Sequence, residues 1–297
     1  MKFASFKHDG NNQAGVVTGE SVLPLARLGA DAGVTLPDTL LDLIRGGEST
    51  MRAVRDAVAA VEQKGRANEI GLSIASVELL PPLPSPPKVI CVARNYAEHA
   101  REAGLELPKM PILFPRFANT FVGHGGPVVV PSVSHQLDWE GELAVIIGRD
   151  TKGRITKAEA MDYVFGYSIF NDVTVRDYQF RVTQYTGGKN FRSSGPFGPC
   201  IVSADEVGNP HALDITTRLN GKVEQHANTG TMIFDIPTIL EHIADFIDLE
   251  AGDVIATGTP AGVGFKRQPP VFLKNGDLIE VSIDKIGTLS NPVVDER

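Results

Sequence analysis

Hydrophobic and polar positions alternate in short runs along most of this 297-residue chain, and helical periodicity is confined to a few places. Near the start, Lys2 to Phe6, Gly15 to Val17 and Val22 to Leu25 read as short strands, separated by the turn residues Asp9, Gly10, Asn11 and Asn12. Two helical stretches follow. One runs near Pro37 to Arg45 and is stopped by Gly46 and Gly47; the other places Met51, Val54, Val58 and Val61 on one face and ends near Gly65. The run Pro81-Pro-Leu-Pro-Ser-Pro-Pro87 forbids helix and favours an extended connection. The pattern therefore predicts a small N-terminal α+β domain over residues 1–75, a proline-rich linker over 76–87 and a larger domain over 88–297. The first of these clusters no reactive side chains and reads as a packing appendage, with part of an active-site wall or a dimer contact as the alternative.

Past the linker, strand signals dominate. Lys88 to Val92 and Leu143 to Ile147 are short buried-strand runs, and Tyr163 to Phe170 is rich in β-formers. Leu213 to Gln225 alternates around an Asn220-Gly221 hairpin turn, and Val254 to Thr257 and Leu278 to Ile283 continue the series. One helix stands out, Pro237 to Asp248, with Ile239, Leu240, Ile243, Phe246 and Ile247 on one side. Many strands with few helices between them argue against a doubly wound parallel sheet and for an α+β fold on an antiparallel or mixed sheet.

Charge and cysteine content narrow the partners. Lys and Arg number 28 against 36 Asp and Glu, a formal charge of −8, so a nucleic-acid or anionic-membrane surface is disfavoured. Two cysteines, Cys91 and Cys200, are too few for a disulfide framework in a chain this long, which points to a reducing, cytoplasmic setting. No apolar run approaches the length of a membrane span.

The informative segment is Asp138 to Ile147, DWEGELAVII. As a strand it would put Glu140, Glu142, Ala144 and Ile146 on one face, so two carboxylates continue an apolar row. Side by side in a low-dielectric site they cannot both ionise without a cation; a strand end emerging into water is the plainer alternative. Asp172 closes the β-rich run YVFGYSIFND and would supply a third carboxylate. Three acids with no His or Cys ligand beside them describe an oxygen-only site for Mg²⁺ or Mn²⁺, with Ca²⁺ less suited and zinc disfavoured. His99 and Glu102, three apart in a helical stretch, could form a base and its orienting carboxylate, or an ordinary surface ion pair. Lys189 lies on a Gly187-Gly188 turn that permits close approach to a ligand, though a solvated loop lysine has the same signature. Thr257-Gly-Thr-Pro-Ala-Gly-Val-Gly264 resembles an anion cradle but lacks the spacing of a nucleotide-phosphate loop. Cys91, in an apolar run, reads as core.

Taken together, KVICVARNYAEHAREAG, DWEGELAVIIG, GYSIFNDVTVRDYQ, GGKNF, LNGKVEQHANTGTMIFDIP and DVIATGTPAGVG resemble the fumarylacetoacetate hydrolase family, in order, over about Pro87 to Val294. The resemblance implies a mixed β-sandwich or β-roll catalytic domain with a small α+β N-terminal domain, usually assembled as a homodimer. It implies that Glu140, Glu142 and Asp172 are metal ligands and that His99 and Glu102 lie on a mobile lid. Lys189 would join those two in catalysis, and Arg94, Tyr96, Arg176, Gln179 and Thr259 would contact substrate. The chain departs from many relatives in having Phe114-Pro-Arg116-Phe117 where they have Phe-Leu-Lys-Pro, and Ala93 where Gly is usual. Arg116 could still meet an anion, and Asp138, two residues before Glu140, could be a fourth ligand but is expected to lie behind the ligands or exposed.

The leading implied activity is metal-dependent hydrolysis of a C–C bond in a β-diketo acid, such as an acylpyruvate, a fumarylpyruvate or a diketo-deoxy-sugar acid. The small-molecule products would be pyruvate or a related 2-oxo acid and a carboxylic acid. Decarboxylation of an oxaloacetate-like acid, or lyase or isomerase chemistry on 2-oxo acids, would pass through the same enolate. A catalytically silent binding protein is the rival class, against which the retention of His99, Glu102 and all three carboxylates argues.

Overall fold

The β-branched and aromatic runs join into two large sheets and a two-stranded ribbon, Leu137–Asp138 with Thr174–Val175, whose register brings distant carboxylates together. In the computed structural model, which describes residues 1–102 and 104–297, the larger sheet has twelve strands. Its main path runs Leu72–Ser73, Ser21–Pro24, Asn11–Thr18, Lys2–His8, Gly195–Ser203, Val164–Asn171, Gly141–Ile147, Val254–Ala256, Val89–Ala93 and Ile112–Pro115. Along that path only Val254–Ala256 and Val89–Ala93 are parallel, so the sheet is mixed. A second sheet orders Lys222–Asn228, Asp214–Leu219, Leu278–Ile283, Gly287–Asp295 and Val128–Val130. The α+β architecture is the one the strand-rich pattern implied.

Gly141–Ile147 lies in the middle of the large sheet and is buried throughout. Its odd residues Leu143, Val145 and Ile147 pack with Ile215, Val281 and Ile283 of the second sheet. Its even residues Ala144 and Ile146 share the opposite core with Leu28, Leu43, Val54 and Val61 from the N-terminal helices. Strand alternation thus commits Glu142 to the face that the N-terminal helices help to cover. Residues 1–75 are hydrogen-bonded into the same sheet: Lys2 pairs with Val202 and Phe3 with Ile201.

Several elements begin or end away from where the local pattern predicts. The helix expected near Pro37 begins at Leu40, after Thr39 caps the Asp42 N–H, and Gly46-Gly47 form a corner from which Gly47–Gln63 starts at once. Leu25, expected to end a strand, opens the helix Leu25–Ala32, whose buried face holds Leu25 and Leu28. The expected helix Pro237 to Asp248 runs Ile236–Ala244, capped by Asp235. Phe246 and Ile247 lie beyond its end and are exposed rather than on its apolar side. Among the described residues no helix is long and apolar enough to cross a membrane.

Candidate metal centre and active-site cavity

Strands Gly141–Ile147 and Val164–Asn171 pair with Gly141 opposite Asn171. One step beyond that pair stand Glu140 and Asp172, joined by a hydrogen bond from the Asp172 N–H to the Glu140 carbonyl at 2.8 Å. The Asn171 side chain accepts the Glu140 N–H at 2.9 Å and fixes the turn out of the sheet. Glu142, two residues along, shares the face of Glu140. The three side chains are buried and their ligand oxygens lie within 4.8 Å of one another. Antiparallel register therefore supplies the convergence that the sequence spacing could only suggest.

Charges around the triad are unevenly distributed. Lys189 Nζ donates to Glu140 Oε2 at 2.7 Å and Asp172 Oδ2 at 2.6 Å, and Arg176 Nη1 donates to Glu140 Oε1 at 2.6 Å. Burial would raise the Glu140 pKa, but Lys189 and Arg176 outweigh it and bring it to about 2. Burial would likewise discharge Lys189, yet Asp172 and Glu140 raise its pKa and keep it an ammonium. Among the described residues no cation hydrogen-bonds to Glu142. Burial, then Asp172 and Glu140, push its carboxyl well above the usual range, against the nearby charge of Lys189 and the Gly258 N–H that reaches its Oε2 at 2.8 Å. An oxygen-only cluster with one carboxylate lacking an ion-pair partner fits a hard divalent cation, to be held by Glu140, Glu142 and Asp172.

The Gly258 contact explains the Thr257-Gly258-Thr259 turn, whose backbone donor serves a protein carboxylate. Gly258 adopts φ +99°, and a Cβ there would come within 2.8 Å of Asn95 Cβ and 2.9 Å of the Val92 carbonyl. Gly258→Ala is expected to lower stability by about 1–3 kcal/mol through backbone strain alone. Chemical denaturation of the variant would measure this, and wild-type stability would contradict it.

Above the triad lies a tight cavity of about 70 Å³. Of the residues expected in the site, Arg94, His99, Glu140, Glu142, Arg176, Gln179, Lys189 and Thr259 line it, together with Phe114, Phe180, Tyr185 and Phe265. Asp172 lies fully buried at its edge, bonded to Lys189. Tyr96 is not among these wall residues; it lines a neighbouring cavity with Glu98, Arg101 and His226, while burial and then the Glu142 carboxylate push its buried hydroxyl's pKa up. Lys189 closes a short helix, Thr186–Lys189, rather than a bare turn. The backbone approach that Gly188 permits is to Gln179, whose Cα would lie 2.6 Å from an added Cβ.

His99 and Glu102 share the helix Ala97–Glu102, but Glu102 Oε2 is 4.0 Å from His99 Nδ1, outside hydrogen-bonding range. Glu102 instead accepts the Gly262 N–H at 2.9 Å, and His99 Nδ1 is buried with no partner among the described residues. Burial depresses the imidazole pKa to about 4, so the ring is neutral near pH 7. The expected base is in the cavity wall; the expected orienting bond is absent from this geometry.

A profile described as fumarylacetoacetate (FAA) hydrolase, C-terminal, matches residues 88–294. The chain belongs to the fumarylacetoacetate hydrolase family. Within the family it is 42% identical over 264 residues to the oxaloacetate tautomerase YisK of Bacillus subtilis (strain 168), covering 87% of each chain. The fumarylacetoacetate hydrolase of psychrophilic Exiguobacterium antarcticum superimposes with a TM-score of 0.81 and 38% identity, over 100% of both chains. Maleylpyruvate hydrolase from Sphingobium sp. SYK-6, solved with manganese(II) and pyruvate, gives 0.76 and 31%, again over 100% of both.

Several residues that build this fumarylacetoacetate hydrolase family site escaped the sequence reading or were left undecided. Asp138 is fully buried; it accepts Arg176 Nε at 2.8 Å and the N–H groups of Gly264 and Phe265 at 2.7 and 3.0 Å. It thereby aims Arg176 at Glu140. Gln225, on the second sheet, donates to Thr259 Oγ1 at 2.8 Å, while Thr259 donates to the Gly141 carbonyl at 2.9 Å. Asp138 has a signal in the alternating D-x-E-x-E spacing; Gln225 has none. Cys91 is buried, and burial with the nearby Asp172 and Glu142 raises its thiol pKa well above normal, as suits a core residue.

Proposed function

We propose that this protein interconverts the keto and enol forms of a short 2-oxo dicarboxylic acid of the oxaloacetate type. The observation that carries the reading is the cavity, about 70 Å³ and walled by Arg94, Arg176 and Lys189 over the carboxylate triad. It suits a small, strongly anionic substrate better than a β-diketo acid with a long distal group plus an attacking water. That reverses the order of activities favoured by sequence alone, and the 42% identity to a protein named as an oxaloacetate tautomerase supports the reversal.

A divalent cation held by Glu140, Glu142 and Asp172 would polarise the 2-oxo carbonyl and acidify the neighbouring carbon. Lys189, kept charged by Glu140 and Asp172, then stabilises negative charge as it develops on the substrate oxygen. Neutral His99 takes the proton from the carbon and returns it to that oxygen, which yields the enol with no other bond made or broken. Arg94 and Arg176 orient the substrate carboxylates, and the tight walls limit water.

Hydrolysis of an acylpyruvate is the second reading. It is favoured by Glu102 lying 4.0 Å from His99, a small rotation from an orienting bond, and by the likeness to a maleylpyruvate hydrolase. Here His99 would deprotonate water for attack on the distal carbonyl, and C–C cleavage would leave the pyruvate enolate. Loss of CO₂ from oxaloacetate would leave the same enolate.

One set of assays separates these activities. With Mg²⁺ or Mn²⁺ present, ultraviolet loss of the oxaloacetate enol should outpace the buffer rate, while pyruvate release from oxaloacetate and from acylpyruvates stays slow. Pyruvate release from an acylpyruvate as the dominant activity would replace the tautomerase reading with the hydrolase one.

A further inference from the structure

Arg116 takes no part in the reaction above, yet it is buried against one of the three carboxylates. It follows the edge strand Ile112–Pro115, in the Phe-Pro-Arg-Phe stretch. Its Nη1 donates to Asp172 Oδ1 at 2.5 Å and to the Val173 carbonyl at 3.2 Å. Its Nη2 donates to Ser194 Oγ at 2.7 Å and reaches Thr120 Oγ1 at 3.5 Å. The guanidinium carbon lies 5.4 Å from the centre of the Phe170 ring. Both nitrogens are thus anchored, and the fork cannot follow Asp172 if that side chain turns.

We infer that Arg116 is a positioning residue that keeps Asp172 a one-oxygen ligand, so that the triad prefers a small six-coordinate cation such as Mg²⁺ or Mn²⁺ to Ca²⁺. The inference rests on the reading of the triad as a divalent-cation site. Asp172 Oδ1 is committed to Arg116 and Oδ2 faces Lys189 and the other two carboxylates, so only Oδ2 is available to a cation. Ca²⁺ gathers six to eight oxygens and commonly uses both oxygens of a carboxylate, whereas Mg²⁺ holds to near-octahedral geometry with fewer protein ligands. A buried guanidinium on one carboxylate oxygen therefore costs Ca²⁺ a ligand that Mg²⁺ does not need. Lysine at this position would supply one point charge, not a fork able to bridge Asp172 and Ser194.

The test is calorimetric titration of chelator-stripped protein with MgCl₂, MnCl₂ and CaCl₂. Wild type should bind Mg²⁺ and Mn²⁺ in preference to Ca²⁺. In Arg116→Met the ratio of Ca²⁺ to Mg²⁺ affinity should rise by about tenfold or more, as a second carboxylate oxygen becomes available. Arg116→Lys, which keeps the charge but not the fork, should move the ratio in the same direction by less, and a ratio identical to wild type would show that charge alone and not the fork sets it. A merely structural role would weaken all three cations alike and leave the ratio unchanged, and that result in a folded Arg116→Met protein overturns the inference. Should Arg116→Met fail to fold, Ser194→Ala removes the 2.7 Å anchor while sparing the arginine, and it must move the ratio in the same direction or the inference fails. Wild-type protein that binds none of the three cations would instead overturn the cation-site reading itself.

Discussion

Glu140→Gln should weaken divalent-cation binding by more than about 100-fold, beyond what is usual for changing a residue that merely supports a ligand. The cause is double. Glutamine removes one of three convergent carboxylates, and it also takes one of two carboxylate partners from each of the buried cations that Glu140 now bridges, Lys189 at 2.7 Å and Arg176 at 2.6 Å. An amide nitrogen facing either cation turns attraction into donor–donor conflict. Breaking a buried pair by removing one partner typically costs about 3–5 kcal/mol, so the variant should also melt earlier. Calorimetric titration and a thermal melt on the same sample check both parts. Wild-type cation affinity in a folded variant would show that the triad is an internal ion-pair network and no metal centre.

His99→Ala should lower turnover by roughly 10²–10⁴-fold, the usual contribution of a positioned general base. Cation affinity should change little, because none of the triad's hydrogen bonds runs through the His99 ring. The pH profile of the wild type carries a sign. Burial holds the folded-state pKa at about 4, below the usual 6.5, so the basic form persists through the ordinary histidine range. Activity limited by this base should be flat there and fall only as pH drops toward the lowered value. By the same sign, the unfolded chain binds the proton more readily between those values, so His99 contributes a loss of stability as pH falls. A midpoint near 6.5 would mean that the ring is solvated in the working enzyme.

Much of the fold was legible because the chemistry that forms it is local. Leu278–Ile283 appears where its alternation predicts, and Asn220-Gly221 makes the tight turn of the hairpin at φ +52° and +81°. The strand Gly195–Ser203 was hidden by its own composition. Gly195, Pro196, Gly198 and Pro199 punctuate it like a loop, and only pairing on both sides holds it in the sheet. The site divides in the same way. Glu140 and Glu142 were visible from a period of two, but the partner of Glu102 is a backbone N–H 160 positions away, on Gly262, which no local spacing encodes. Tyr96 lines the neighbouring cavity, yet its buried hydroxyl feels the Glu142 carboxylate, a long-range neighbour that no local spacing encodes.

The pairing of Gly141 with Asn171 makes the centre vulnerable to changes in chain length more than to many changes of composition. Substituting one aliphatic residue for another along Gly141–Ile147 leaves every carboxylate where it is. A single residue inserted at Ala144 would reverse the faces of everything on one side of it, so the carboxylates and the core beneath them could no longer both be satisfied. An added residue in Val164–Asn171 would carry Asp172 out of step with Glu140 in the same way. The connection between them, residues 148–159, can lengthen without disturbing that register; these two strands are a ruler, and the carboxylate triad is its zero mark.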